Sequence, residues 1–240
     1  MSSSRIHFVV PSRNEPVALL DRTIIALRAA SPDASITLVD DCSGPAAAAD
    51  AKMLAERIPG LRLCRTDPPG GAGRAMAVGI EAVLAAAAAS DWICTVEADA
   101  SVEARALVDG LAGAGDEVDV CFFSRVWQGG TRDYPAGRVG LSRTATLVHR
   151  LIRKDGPPDW TLFYRGYRAR LLASMRFDAQ EGPADFSWQA WMAHRTLDVA
   201  AQWIDVPVRF EYRRHAHPMW RRHARHIRSH LRVALQEWRR

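Results

Sequence analysis

A chain of 240 residues, 48% apolar and 25% charged, is long enough to bury its own core and has the composition of a folded globular protein, which excludes wholesale disorder. Its four cysteines, at 42, 64, 94 and 121, form no CxxC pair, which argues against a disulfide scaffold or a cysteine-rich zinc module and for a reducing, cytoplasmic setting. The net charge of +5 is uneven: residues 209–240 carry ten arginines and two glutamates, whereas 1–208 carry 22 basic and 25 acidic side chains, so a nearly neutral body bears a basic tail.

The first half alternates short β-branched runs with amphipathic stretches. Residues 6–10 read as a strand, too short before Pro11 for a signal-peptide core. Val17, Leu20, Ile24 and Leu27 then recur at helical spacing. Strands are predicted at 36–39, 61–64, 92–96 and 118–123, with helices at 46–58, 72–88 and 102–111 between them. The longest wholly apolar run, 82–89, falls far short of the ~20 residues a membrane span needs. This βαβα rhythm predicts a single α/β domain, Rossmann-like, with a mostly parallel sheet covered on both faces. The second half is less regular. Residues 124–135 read as a mobile loop, Leu141 to Ile152 as a helix, 159–164 as extended and 168–175 as helical. A Trp-rich helix at 184–196, strands at 203–208 and 210–212, and a helix from about 218 to the end complete the reading. The body is therefore assigned to 1–214 and a basic amphipathic tail to 215–240.

Ligands of open α/β sheets bind outside the carboxyl ends of the strands. Four predicted strands are followed there by Pro11-Ser12-Arg13-Asn14-Glu15, Asp40-Asp41-Cys42-Ser43, Glu97-Ala98-Asp99 and Ser124-Arg125. Any one of these acidic pairs fits a helix cap or a solvated turn, but packing gives no reason for all of them to share one rim. Glu97 and Asp99, one residue apart at a strand end, bring two hard oxygen donors to one cation, Mg2+ or Mn2+, which keep open positions for substrate phosphates. Asp40 and Asp41 are better placed to accept hydrogen bonds from a base or ribose. The Gly70-Gly71-Ala72-Gly73 turn opens a helix and can approach a ligand closely, but it is no dinucleotide fingerprint, because Met76 occupies the third glycine position.

In order and spacing, PSRNE, LVDDCS, the GGAGRAM helix start, VEADAS and FFSR resemble glycosyltransferase family 2. The later Arg138…Ser142-Arg143, Asp159-Trp160-Thr161-Leu162-Phe163-Tyr164-Arg165-Gly166-Tyr167 and Val206-Pro207-Val208-Arg209-Phe210-Glu211-Tyr212-Arg213 are similar to its polyprenyl-phosphate (dolichyl-phosphate) mannosyltransferase branch. The resemblance covers about residues 5–214. It implies transfer of a hexose, mannose first, from a nucleotide-diphosphate sugar (GDP-mannose first) to a polyprenyl phosphate, with inversion. It places Pro11, Arg13, Glu15, Asp40, Asp41 and the backbone of Ala98 at the nucleotide sugar. Glu97, Asp99 and Ser101 would be at the metal, and Arg125 and Arg213 at phosphates, with Asp99, Arg125 and Arg213 the catalytic set. Five positions depart from the family pattern: Glu97 replaces an Asp, Ser101 a Gln, Arg13 an aromatic, Cys42 a Gly and Met219 a late Lys. A phosphate acceptor is already anionic and needs no strong base. With a sugar hydroxyl as acceptor, Asp185 is the candidate base. A degenerate, non-catalytic homologue is the other alternative.

In the tail, Trp220, Ala224, Ile227, Leu231, Leu235 and Trp238 form one stripe, beside Arg221, Arg225, Arg228 and Arg232. Such a helix fits a membrane interface, making the protein peripheral on the inner face. Packing on the body is the alternative reading; nucleic acid fits less well, since no reading motif accompanies the arginines. His223, His226 and His230 share helical spacing, but with no carboxylate or cysteine cluster they do not read as a zinc site.

Overall fold

The computed structural model describes residues 4–125, 131–132, 136–199, 201–212 and 220–239; of 131–132, 136 and 220–226 it describes the backbone alone. In chain order the elements are β1 (Ile6–Ser12), α1 (Val17–Ala30), β2 (Ser35–Asp40), α2 (Pro45–Arg57), β3 (Leu61–Arg65), α3 (Ala72–Leu84), β4 (Trp92–Thr95), α4 (Ala104–Ala112), β5 (Val120–Arg125), β6 (Thr131–Arg132), α5 (Ala136–Ile152), β7 (Arg165–Arg168), α6 (Ala169–Ser174), α7 (Trp188–Asp198), β8 (Trp203–Val208), β9 (Phe210–Glu211) and α8 (Trp220–Trp238). Seven strands form one sheet in the order β3-β2-β1-β4-β7-β5-β8, parallel except for β7, which runs antiparallel to both β4 and β5. The short β6 and β9 pair beside it in parallel.

Both faces of the sheet are covered because successive strand residues point to opposite faces and both sets are apolar. Phe8 and Val10 pack with Leu20, Ile24 and Leu27 of α1, Leu54 of α2 and Leu107 of α4. Val9 between them packs the other way, with Met76 and Ile80 of α3, Trp188 and Met192 of α7 and Val233 of α8. Gly79 lets α3 lie directly on the sheet: a Cβ there would run into the Val9 side chain and within 2.7 Å of Val39 Cγ2. The strand order reverses at β1, which has β2 on one side and β4 on the other, so a ligand crevice opens at their carboxyl ends.

Three predicted elements change. The 72–88 helix stops at Leu84, because the Asp91 carboxylate accepts the Ala88 N–H at 2.9 Å and draws that stretch into a turn. The stretch expected to be extended at 159–164 is a loop, and the strand forms after it, at Arg165–Arg168. Asp159 turns inward to Arg125, and Arg165 Nη2 donates back to the Asp159 carbonyl at 2.6 Å, closing 159–164 into a loop. The 184–196 helix begins only at Trp188, because Asp185 Oδ1 accepts the Ser187 N–H at 2.9 Å and fixes a turn ahead of it. Of the loop expected at 124–135, Ser124 and Arg125 belong to β5 and Thr131 and Arg132 to β6; the remainder, with Gly129 and Gly130, lies outside the described residues. The junction assigned at 214–215 also lies outside them.

Candidate active site

The strand ends bring the acidic segments to the crevice at the β1–β4 switch. Pro11 ends up in β1, with Arg13 exposed and Glu15 half-buried just beyond it. Beside them the β2 end carries Asp40 and Asp41, both 2% exposed. Asn14 Oδ1 accepts the Gly44 N–H at 2.8 Å and Ser43 Oγ accepts the Asn14 N–H at 2.8 Å, so the two loops are knitted together. Asn14, Cys42 and Ala100 follow β1, β2 and β4 with φ of 55°, 51° and 51°. A left-handed non-glycine residue costs about 1–2 kcal/mol, and here three occur on one rim. Cys42 thus adopts the backbone that a glycine would take without strain.

Asp40 and Asp41 are already engaged by the protein. Asp40 Oδ1 accepts the Ser43 N–H at 3.0 Å, and its Oδ2 is paired with Arg65 at 2.5 Å. Arg65, at the last position of β3, also donates to the Ser43 carbonyl at 3.2 Å, while its side chain is 44% exposed and faces the crevice rim. Asp41 organises the glycine turn. Its Oδ1 accepts from Thr66 Oγ1 at 2.7 Å and Gly70 N–H at 2.6 Å, its Oδ2 from Gly71 N–H at 2.9 Å, and Arg13 Nη1 lies 3.6 Å away. Gly71 has φ 85°, and Gly73 donates its N–H to the Ala184 carbonyl at 2.9 Å. The turn therefore joins the loops after β1 and β2 to the segment that precedes α7.

Glu97 and Asp99 follow β4, the first half-buried and the second 8% exposed. Asp99 Oδ1 accepts the Ser101 N–H at 3.0 Å, and the carbonyl of buried Ala98 accepts Thr23 Oγ1 at 2.7 Å. Ser101 is 2% exposed, and its carbonyl accepts the Glu211 N–H at 2.8 Å, tying β9 to this turn. Tyr164 is fully buried within electrostatic reach of both carboxylates. Burial first, then the charges of Asp99 and Glu97, push its phenol well above the ordinary range, so it stays protonated. Among the described residues no group of three or more His, Cys, Asp or Glu converges on a metal position. Two hard carboxylates fit Mg2+ or Mn2+, which take their remaining ligands from water and phosphate, and do not fit a closed zinc site.

Arg125 is 6% exposed at the end of β5. Its Nε and Nη2 grip Asp159 at 2.7 and 3.0 Å, Thr161 Oγ1 accepts from the same Nη2, and the guanidinium lies 5.6 Å from the Phe210 ring centre. Burial raises the Asp159 pKa, but the charge and hydrogen bonds of Arg125 outweigh it and hold the carboxyl well below its usual range. Arg213 lies outside the described residues. Asp185 faces α8: its Oδ1 accepts from Ser187 and its Oδ2 from the Ser229 hydroxyl. A cleft of ≈ 860 Å³ runs between 181–187 and α8, with Trp191, Arg195 and Arg232 among its lining residues. Arg65, Tyr164 and Ser229 escape the sequence reading as site residues. Position gives a signal only for Arg65, at a strand's carboxyl end; Tyr164 and Ser229 reach the site through tertiary packing.

A curated undecaprenyl-phosphate mannosyltransferase from Micrococcus luteus is 28% identical over 207 residues, covering 86% of this chain and 83% of its own. A polyprenol monophosphomannose synthase from Mycolicibacterium smegmatis is 29% identical over 220 residues, covering 88% and 79%. The fold is shared with glucosyl-3-phosphoglycerate synthase from Mycobacterium tuberculosis, solved with Mn2+, UDP and glucosyl-3-phosphoglycerate, at a TM-score of 0.68 and 15% identity over 98% of this chain and 80% of that one. It is also shared with a mannosyltransferase from Pyrobaculum calidifontis in complex with GDP-Man and Mn2+, at a TM-score of 0.63 and 16% identity over 97% of this chain; this chain spans 64% of that one's length. The family model for glycosyl transferase family 2 matches residues 7–175, well over half of the sequence, and the chain belongs to that family: it is a glycosyltransferase built on a mostly parallel nucleotide-sugar transferase sheet.

Proposed function

We propose that the protein moves a hexose, mannose in the first instance, from a nucleotide-diphosphate sugar to a polyprenyl phosphate with inversion at the sugar carbon. The observation that carries the reading is the rim itself. Asp40 and Asp41 stand at the β2 end and Glu97 and Asp99 at the β4 end of one crevice, in a chain similar over most of its length to two curated proteins with polyprenyl mannosyl-transfer names. GDP-mannose as donor comes from the family resemblance.

In this reading the nucleotide lies over β1–β3, with Pro11, Arg13, Glu15 and the Asp40–Arg65 pair around the base and ribose. Glu97 and Asp99 hold Mg2+ or Mn2+, which when bound offsets the charge of the departing diphosphate. Ser101 shapes the turn under Asp99, and the Ala98 backbone lies beside the sugar. Arg213, beyond the described residues, adds positive charge on the phosphate side, while Arg125, its charge matched by buried Asp159, holds the loop before β7 beside it. An acceptor phosphate oxygen forms the new bond to the sugar carbon as the bond to the donor diphosphate breaks, and no proton need be removed from the nucleophile. The state of Asp185 favours this acceptor over a sugar hydroxyl, because both its oxygens already accept from Ser187 and Ser229.

The test is transfer of radiolabel from GDP-mannose, with UDP-glucose as the competing donor, into extractable polyprenyl phosphate or into soluble hydroxyl acceptors, with manganese or with chelator. Metal-dependent labelling of the lipid, lost in Asp99→Ala, is expected. Labelling only of hydroxyl acceptors would refute the acceptor assignment, and full activity of Asp99→Ala would refute the metal assignment.

A further inference from the structure

The last helix of the described chain has three distinct sides. At ~100° per residue, Ser229, His230, Val233 and Ala234 fall on one broad side, and they are 8%, 2%, 1% and 3% exposed. This side rests on α5 and α7. His230 Nδ1 lies 3.0 Å from His149 Nε2, Ser229 reaches Asp185, and Val233 enters the core. Ile227, Leu231, Leu235 and Trp238 fall within a second sector ~80° wide. These four are 41%, 43%, 50% and 72% exposed, an apolar stripe left open among the described residues. Arg228, Arg232 and Arg239, all exposed, occupy the sector next to it. Between the two, Arg228, Leu231, Arg232, Leu235, Gln236 and Arg239 line a shallow groove of ≈ 410 Å³.

We propose that this outer side of α8 docks on an anionic phospholipid surface. Residues 220–239 carry six arginines against the single Glu237. An apolar stripe bordered by a cationic row matches the acyl–headgroup boundary, where leucine and tryptophan enter the apolar layer and arginine reaches the phosphates. A second copy of the chain fits the same side poorly, since pairing two stripes would bring two arginine rows together. No helix among the described residues is long and apolar enough to cross a membrane. The contact is therefore a surface one, and its strength rests on the stripe and the arginines together. The inference concerns a different face from the transfer site and does not depend on the acceptor assigned there.

The test uses the full chain and vesicles of phosphatidylcholine alone or mixed with phosphatidylglycerol, with no donor and no polyprenyl phosphate present. Co-sedimentation with the anionic vesicles only, weakened by salt, is expected. Arg228→Gln with Arg232→Gln should lower the partition coefficient about thirty-fold. Leu235→Gln with Trp238→Gln should lower it comparably, and circular dichroism should stay unchanged because all four positions are exposed. Brominated acyl chains should quench a fluorescence component present in the wild type and missing in Trp238→Phe. The proposal is overturned by absence of vesicle binding, by binding that survives both double substitutions, by retention on an oligonucleotide and not on vesicles, or by a solution dimer that Trp238→Gln breaks without any lipid binding. Because the assay omits donor and acceptor, a failed transfer experiment and a failed vesicle experiment are separate results.

Discussion

Acid should loosen the helical layer through His149. This imidazole is fully buried in α5, with Nδ1 3.0 Å from His194 Nε2 of α7 and Nε2 3.0 Å from His230 Nδ1 of α8. It is stacked on Trp160 at 5.1 Å, so three helices and the 159–164 loop meet at one ring. Burial first, and His194 second, bring its pKa down to about 3 from an ordinary 6.5. The folded protein therefore keeps His149 neutral in a range where the unfolded chain takes up a proton. Its contribution to stability is intact above the unfolded pKa and is lost as pH falls from 6.5 toward 3. The slope is at most ~1.4 kcal/mol per pH unit, so about 2.7 kcal/mol disappears over the first two units, a large share of a typical 5–15 kcal/mol. Three carboxylates act in a lower window, while Asp205, raised by burial, favours the fold as it takes up its proton and so opposes the loss. Asp91, Asp155 and Asp159 are all held below 3.8, so their contributions fade only as pH passes down through that value. Urea unfolding from about pH 7.5 to about pH 4.5, followed by tryptophan fluorescence, reads the loss directly. His149→Gln should be less stable at neutral pH but should show a flatter profile through the window. Parallel profiles for wild type and variant would refute the assignment of acid sensitivity to this ring.

Three further outcomes follow from the rim. Arg125→Ala leaves Asp159 buried beside no matching fork, and should cost about 3–5 kcal/mol in chemical denaturation; a loss below about 1 kcal/mol would mean that the pair is not the anchor of the loop before β7. Asp41→Ala removes the acceptor shared by Thr66, Gly70 and Gly71, so stability should fall by about 2–3 kcal/mol and nucleotide-sugar affinity with it, whereas Asp41→Asn should recover part of both; melting with and without donor checks this. With Glu97 and Asp99 the two carboxylates that the described residues offer, Mn2+ should bind weakly alone and at least about ten-fold more tightly with a nucleoside diphosphate present, and Asp99→Ala should remove the coupling; equal affinity in both calorimetric titrations would contradict a two-carboxylate site.

The parts legible in the sequence are those fixed by local rules. Strands β1, β2, β4 and β5 are buried on both faces because the sheet is covered twice, so each reads as a short, mostly apolar run, whereas β3 at the sheet edge carries Arg62 and Arg65; the acidic residues behind β1, β2 and β4 therefore reach one rim. Strand β7 broke that pattern. Its Arg165 and Arg168 are buried, at 0% and 2% exposure. They satisfy the Phe123, Asp159, Val118 and Ser90 carbonyls and lie over Phe122 and Trp92, partners that no spacing rule reveals. Asp40 and Asp41 were equally visible, but their division of labour was not: one carboxylate is set by Arg65 and the other by glycine N–H groups some 30 residues on.

The tail shows the same limit from the other direction. Helical spacing groups His230 with His223 and His226, but in the fold His230 meets His149 of α5, which in turn meets His194 of α7. Helical periodicity alone also left open whether α8 packs on the body or faces outward. A 19-residue helix does both, because fixing it at one side through Ser229, His230 and Val233 leaves Ile227, Leu231, Leu235 and Trp238 turned away from the core. What decides between the two uses is the angular offset between residues three and four apart, and that offset acquires meaning only when α5 and α7 define which side is inside.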